Sequence, residues 1–374
     1  MSTTKWMSKI TKDFGVVASN MKKKEPLVVP SLSPSLNWAT ARGGYVPGKI
    51  NIMFGPESAG KSLLAMMGII QQQKMDKDAL SIWFDAEFAF NIDLFIKLGG
   101  DTSRLAIRKS NDPLKIFDYI GGELLEMLQE GAPIKAIAID SIKSIRYPKD
   151  HKKQTTDQTM GGSGAPYLTS ALKLVIPVVA EFELLTFFIQ QVSMQLDPMK
   201  AMRNPYILPD GLALKHAGDL MLEITKVETK AGIMESGETI TGSAQQVGHK
   251  IRVKVKKNRM GIPARVAQFS LDYEKGIVNI GEEVFELAKS LGAIYHPVSH
   301  ETGKANPQMW QYGSYPPVRG EANIKKMVED DKRLQDEIIA TCNSYKDSRV
   351  ELNADGTIKD ESGIVDLNLD IADL

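Results

Sequence analysis

The chain has 374 residues and a formal net charge of zero, with 43% apolar and 25% charged residues. That mix is ordinary for a globular protein and excludes a wholly disordered chain and a collagen-like repeat. A disulfide scaffold is excluded too, because Cys342 is the sole cysteine, and a lone cysteine fits a reducing compartment.

In chain order, residues 1–20 predict a short amphipathic helix. The opening MSTTKWMSKITKDF has no apolar stretch of the kind a secretory signal needs, so a cytoplasmic chain is expected. Residues 21–35 read as a linker, with a Lys run and then Pro26, Pro30 and Pro34, since proline stops helix propagation. Residues 51–54 form an apolar run before a glycine-rich turn, and 61–73 have the composition of a buried helix. Further strands are predicted at 81–84, 105–107, 136–140, 184–190 and 219–227. Helices are predicted at 92–98, 113–129 and 167–181, the last despite Pro177. The longest uncharged apolar run, 184–196, is shorter than the roughly 18 residues a membrane span requires, so no membrane partner is expected.

Continuous apolar strands alternating with helices predict an α/β fold, a parallel sheet covered on both faces. Residues 251–257 and 264–273 instead alternate apolar with polar, which predicts antiparallel strands with one open face. A helix at 282–292, a Gly/Pro/aromatic stretch at 293–319 and helices at 323–329 and 333–343 predict a small C-terminal domain.

The neutral total hides an uneven distribution. Residues 1–24 carry six Lys against one Asp, 249–265 carry seven basic residues and no acid, and 351–374 carry seven acids against Lys359. A basic interior segment with an acidic tail suggests a polyanion partner. The plain alternative is a solvated strand face and a disordered terminus.

The strongest chemical signal is Gly55-Pro56-Glu57-Ser58-Ala59-Gly60-Lys61-Ser62, followed by Leu63. This is the P-loop spacing, between a predicted strand and a predicted helix. Glycines let backbone N–H groups wrap a phosphate at a helix N-terminus. Lys61 then reaches the β- and γ-phosphates, and Ser62 offers a hydroxyl to Mg²⁺. Such a site needs an acid on a neighbouring strand to hold the metal's water shell, and Asp140 ends the run at 136–140. Hydrolysis also needs a group to take a proton from water. Glu87, in Asp85-Ala86-Glu87 after the strand 81–84, is the general-base candidate; the alternative is that Asp85 or Glu87 merely caps the next segment. Gln190 and Gln191 end the strand 184–190, as γ-phosphate reporters or as satisfied surface amides.

Other patterns carry less. His296 and His300 flank Pro297 with no third ligand. Ser58 and Lys61 match an acylating-serine pattern whose companion motifs are absent. Residues 161–164 lack the strand and third glycine of a dinucleotide fingerprint.

GPESAGKS, FDAEFA, AIAIDS, FFIQQVSM, DGLALKHAGDLMLEI and RVKVKKNRMGIP, in this order and spacing, resemble the RecA recombinases over residues 30–345. The chain looks most like the divergent phage branch, the UvsX-like proteins. The resemblance implies a RecA-type P-loop ATPase core using ATP and Mg²⁺. Its cofactor residues would be Gly55 through Leu63 with Asp140, the metal held by Ser62 and, through water, by Asp140. It implies Glu87 as the catalytic glutamate and Gln191 as the link from γ-phosphate to the second DNA loop. Lys257 and Arg259 fall where the family reaches across to a neighbour's ATP.

The two DNA loops would be 148–165 and 192–215, both long and structureless. Their contacts would be Lys152, Lys153, Met160, Gly161, Gly162, Met194, Leu196, Lys200 and Arg203. Leu94 stands where bacterial members stack an aromatic ring on adenine. Ser193 replaces a basic residue, and Asp210-Gly211 stands in place of Gly-Gly.

The implied organisation is an N-terminal helix and linker (1–35) contacting the next subunit, an ATPase core (36–275), a small C-terminal α/β domain (276–350) and an acidic tail expected to be disordered (351–374). The implied function is a helical filament of this chain on single-stranded DNA that pairs it with double-stranded DNA and exchanges strands. A mediator and a single-strand-binding protein are candidate partners, and the location is the cytoplasm, the host's if the chain is phage-encoded. A hexameric RecA-fold helicase and an ATP-binding regulatory protein are the alternatives.

Overall fold

The computed structural model describes residues 7, 26–145, 165–195, 199, 202, 206–209, 211–227, 233–234, 246–298 and 303–345. The helix expected within 1–20 (Met7 aside) and the tail 351–374 lie outside the described residues. So do Lys152, Lys153, Met160, Gly161, Gly162, Leu196, Lys200 and Arg203.

In chain order the strands of the core are β1 (Asn51–Gly55), β2 (Leu80–Asp85), β3 (Leu105–Lys109), β4 (Ile134–Asp140), β5 (Leu185–Gln191), β6 (Ser193–Met194), β7 (Tyr206–Ile207), β8 (Leu220–Lys226), β9 (Ile233–Met234), β10 (Gln246–Asn258), β11 (Val266–Asp272) and β12 (Gly276–Val278). The large sheet runs β3-β2-β4-β5-β1-β8 in parallel, then adds β10, β11 and β12 antiparallel, with β9 beside β10. This is the α/β fold with a mostly parallel sheet that the apolar runs predict.

Side chains alternate across each strand, and both faces are buried. Met53, Trp83, Ala136 and Ala138 join one core, while Ile52, Phe54, Ile82, Phe84, Ile137 and Ile139 join the other. Helices α1 (Pro34–Ala39) and α2 (Lys61–Met75) pack on the first face. There a Cβ on Gly68 would lie 2.3 Å from the Phe187 ring, so only glycine lets α2 approach this closely. Helices α3 (Ile92–Lys97) and α4 (Glu123–Gln129) follow, then α5 (Ala165–Glu181), whose Leu168, Leu172, Val175 and Val179 fill the second face. Each fully buried apolar side chain contributes about 1.5–3 kcal/mol.

Three local readings need correction. Pro34 belongs to a helix, not a linker: it occupies the first turn of α1, where its missing N–H costs nothing, and the Ser33 hydroxyl caps Leu36 N. The helix predicted over 113–129 opens with a π-helical turn (Leu114–Asp118) and a short α-turn (Tyr119–Gly121), and Gly122 separates these from α4. The second loop, 192–215, is not structureless. β6 pairs antiparallel with β7, and α6 (Gly211–Ala217) buries Ala213, Leu214 and Ala217 against the second core. Tertiary burial overrides a stretch whose glycine and prolines argue for coil.

The C-terminal part holds α7 (Ile280–Ser290), a three-stranded antiparallel sheet of β13 (Ile294–Tyr295), β14 (Met309–Tyr312) and β15 (Val318–Arg319), and helices α8 (Glu321–Asp330) and α9 (Lys332–Ser344). Its Phe285, Trp310, Ile338 and Cys342 share one apolar cluster with Leu36 and Phe269 of the main body. The basic segment is partly consumed internally. Arg265 is buried, donates to Trp38 O and stacks over the Trp38 ring, while Lys256 pairs with Glu223 and Lys250 with Glu282.

Glu283 pins α7 to the N-terminus of α1. One carboxylate oxygen accepts from Ser33 Oγ, Ser35 N and Ser35 Oγ at 2.5–2.7 Å. Burial pushes its pKa up to about 7 against the opposing effect of these bonds and of Lys250. A carboxyl held above its unfolded value binds more protons in the native state. Its contribution to stability is therefore full below about pH 4.5 and is lost as pH rises through about 7. Glu283→Gln keeps an acceptor for both serines but cannot titrate. Urea midpoints measured from pH 5 to 8 should fall with pH less steeply in the variant than in the unsubstituted chain; parallel profiles would remove Glu283 as a source of that slope.

Candidate nucleotide site

The parallel register brings the chemistry to one edge. Gly55 is level with Gln191, and Asp85 with Asp140, so the carboxyl ends of β1, β2, β4 and β5 converge where open α/β sheets bind ligands. A cavity of about 810 Å³ opens there.

Gly55 closes β1. A Cβ here would stand 1.9 Å from Ile224 O, so only glycine passes. Gly60, with φ of 94°, turns the chain into α2 and leaves the helix N-terminus facing the cavity. Lys61 Nζ donates to Gly55 O at 3.1 Å and Pro56 O at 2.5 Å. Burial lowers its pKa, while Asp140, Glu87 and Glu57 pull the other way. Ser62 Oγ donates to Asp140 Oδ2 at 2.6 Å. Asp140 is pushed up to about 6, first by burial and also by Glu87 nearby; the Ser62 bond opposes this.

A hydroxyl and a crowded carboxylate in contact make a hard oxygen pair, and a divalent cation would relieve the carboxylate's burial. Among the described residues no group of three or more His, Cys, Asp or Glu is placed to hold a metal alone. Mg²⁺ takes one or two protein oxygens and completes its shell with phosphate and water.

The capping role that the sequence left open to Asp85 or Glu87 falls to Asp85. Asp85 is buried and accepts from Ala89 N and Phe90 N, so it caps the turn. Glu87 is half-buried, lines the cavity and accepts from Gln191 Nε2 at 2.8 Å and from the Ser141 hydroxyl. Gln190 faces the other way, buried, with Nε2 on Pro209 O.

The cavity's outer wall comes from Phe90 and Leu94 on one side and Leu271, Tyr273, His249 and Lys226 on the other. Leu94 thus lies in the cavity, where Phe90 and Tyr273 supply the aromatic surface. The sequence reading missed Lys226, His249, Leu271 and Tyr273, which come from β8, β10, β11 and the residue just after β11 and share no local motif.

Lys257 and Arg259 are not in this cavity. β10 places Lys257 beside Met221 and Asn258 beside Leu220, and Leu220 is level with Asn51 at the start of β1, so the pair sits toward the opposite edge of the sheet. Lys257 Nζ donates to Lys215 O, and Arg259 donates to His216 O at 2.9 Å and to Asp219 Oδ1 at 3.2 Å. Met194 is 74% exposed on β6. No described helix is long and apolar enough to cross a membrane.

A family model, the RecA N-terminal domain, matches residues 2–278. Curated relatives, each named Protein RecA, match along most of their length. The one from Aquifex aeolicus is 28% identical over 336 residues, covering 89% of this chain and 89% of the relative. That from Wolbachia pipientis subsp. Culex pipiens is 29% identical, covering 89% and 86%. That from Mycoplasma mycoides subsp. mycoides SC is 27% identical over 344 residues, covering 87% and 94%.

Proposed function

Since this chain belongs to the RecA family, we propose that it is a DNA-dependent ATPase that assembles on single-stranded DNA and catalyses homologous pairing and strand exchange with duplex DNA. The observation that carries the reading is the Gln191–Glu87 hydrogen bond. It joins the base candidate to the strand that leads into the second loop, beside a P-loop whose Ser62 already touches Asp140.

In this mechanism the N–H groups at the start of α2 hold phosphate, and Lys61 leaves its two carbonyls for the β- and γ-oxygens. Ser62 and, through water, Asp140 would hold Mg²⁺, which would supply charge neutralisation on those oxygens. Glu87 takes the proton of the attacking water. Gln191 senses the γ-phosphate and passes the state to the loop beyond it. Lys257 and Arg259, remote from their own cavity, serve the neighbour's. DNA would meet Met194 and the contacts assigned within 148–165 and 192–215.

We propose a division at 1–35, 36–275, 276–350 and 351–374, with α1 and β12 each crossing a boundary by a few residues. We place the chain in the UvsX-like phage branch, on its low identity to the bacterial relatives, and so in the host cytoplasm. A mediator and a single-strand-binding protein would be its auxiliary partners.

The test is ATP hydrolysis with and without single-stranded DNA at two salt concentrations. Strong stimulation that fades with salt is expected, because phosphate contacts release counterions and the site is completed between subunits. Equal rates with and without DNA would overturn the reading and favour a ring helicase or a nucleotide-binding regulator.

A further inference from the structure

Every bond that the described residues make to the Glu87 carboxylate falls on one oxygen. Oε1 accepts from the Ser141 hydroxyl and from Gln191 Nε2 at 2.8 Å, and Ser144 Oγ lies 3.4 Å from it. Oε2 accepts from none of them, and it is not among the buried atoms that lack a partner. Glu87 lines the nucleotide cavity, so Oε2 is the oxygen left open to the cavity's solvent. A general base must present a free lone pair within hydrogen-bond reach of its water. A carboxylate oxygen has about two lone-pair sites; on Oε1 Ser141 and Gln191 occupy them, and on Oε2 they are free.

The two oxygens of an unrestrained carboxylate are equivalent, and its terminal torsion is broad and roughly two-fold. The donors on Oε1 break that symmetry. In the proposed mechanism Gln191 has a second task, at the γ-phosphate. Ser141 has no such task. It is fully buried directly after β4, in a turn closed by Ser144 N on Ser141 O at 3.1 Å. A hydroxyl has one proton. Ser141 gives its own to Glu87, so in the 3.1 Å contact between the two hydroxyls Ser144 donates and Ser141 accepts. Ser144 thereby fixes the direction in which the Ser141 proton points.

We propose that Ser141 and Ser144 are positioning residues that hold Glu87 by Oε1, so that it meets the attacking water with Oε2. The proposal deepens the ATPase reading and rests on Glu87 as its base.

The experiment compares Ser141→Ala, Ser144→Ala and Ser144→Thr with the unsubstituted full-length chain, and repeats both Ala substitutions in a Glu87→Gln background. ATP hydrolysis is measured with single-stranded DNA, kcat and KM are separated, and ATP-dependent DNA binding is followed in parallel. Ser141→Ala should lower kcat roughly tenfold, the factor a hydrogen bond to a charged group is worth. Ser144→Ala, one bond further from the carboxylate, should lower it about two- to fivefold. In both, KM for ATP and DNA binding should stay within about twofold of the unsubstituted chain, as for a group felt only in the chemical step. Ser144→Thr keeps the hydroxyl and should keep the rate. In the Glu87→Gln background the residual single-turnover rate should not fall further with either Ala substitution, because no base is left to position. If buried Ser141 does not tolerate Ala, half-buried Ser144 carries the test with its Thr rescue. An unchanged kcat in Ser144→Ala overturns the proposal, and so does an equal fold-loss with and without the Glu87 carboxylate; either leaves the ATPase reading standing. An unsubstituted chain whose hydrolysis is indifferent to DNA overturns the ATPase reading itself, and the proposal with it.

Discussion

Glu87→Gln should bind single-stranded DNA in the presence of ATP and fail to turn ATP over, with hydrolysis reduced about 10²–10⁴-fold, the usual contribution of a positioned general base. The substitution is close to isosteric. The retained amide oxygen can still accept from Gln191 and Ser141, which now hold the carboxylate, so the loop stems stay tied together. What is lost is a group able to take a proton from water. Truncation to Ala is a poorer probe, because it strips the buried Ser141 hydroxyl of its acceptor, a penalty of about 1–3 kcal/mol. With hydrolysis blocked, ATP acts only as a ligand and shifts the population toward whichever assembly binds it better. The Gln variant should therefore dissociate from DNA more slowly than the unsubstituted chain in a competitor-challenge assay. Normal turnover would remove Glu87 from the mechanism and leave Asp85 no better placed, since its two oxygens are committed to Ala89 N and Phe90 N.

That prediction could be framed from the sequence because the chemistry of this edge is written locally. GPESAGKS specifies strand, turn and helix through glycines at fixed offsets, and Asp140 and Glu87 follow strands recognisable as apolar runs. The rest was illegible for identifiable reasons. Pro34 reads as a helix stop unless one knows that Ser33 caps from one side and Glu283 grips from another. The segment before α6 reads as coil because the core that orders Leu214 is assembled from distant strands. Arg265 counts as part of a basic run in sequence, yet it packs on Trp38 inside the protein. Ser141 and Ser144 are ordinary residue types, and only the fold brings them against Glu87. The outer wall of the cavity depends on β10 and β11 bringing His249 and Tyr273 to the sheet edge, which no spacing within either strand announces.

Arg259→Ala should abolish ATP hydrolysis in pure form, by about 10³–10⁵-fold if the residue acts as a trans arginine finger, while leaving the fold intact. Its ion pair with Asp219 is half exposed and so worth about 0–1 kcal/mol. Asp219 keeps a second bond, from Ile50 N. The chain's own cavity does not include Arg259, so the loss cannot come from disturbing that site directly. Lys61→Ala should be inactive for the opposite reason, with a damaged P-loop and an intact arginine. Neither variant alone can form a working junction. In a mixture, the P-loop of an Arg259→Ala subunit can meet the arginine of a Lys61→Ala neighbour. For random head-to-tail assembly of equal amounts, about a quarter of junctions are then complete. Activity should appear on mixing, peak near equal proportions and vanish toward either pure variant. Lys257, lying beside Arg259 on the same strand end, should behave alike if the two cations act together on the neighbour's phosphates. A rate that stays at zero at every mixing ratio, with both variants still bound to DNA, would show that the Arg259 guanidinium works within its own subunit or not at all.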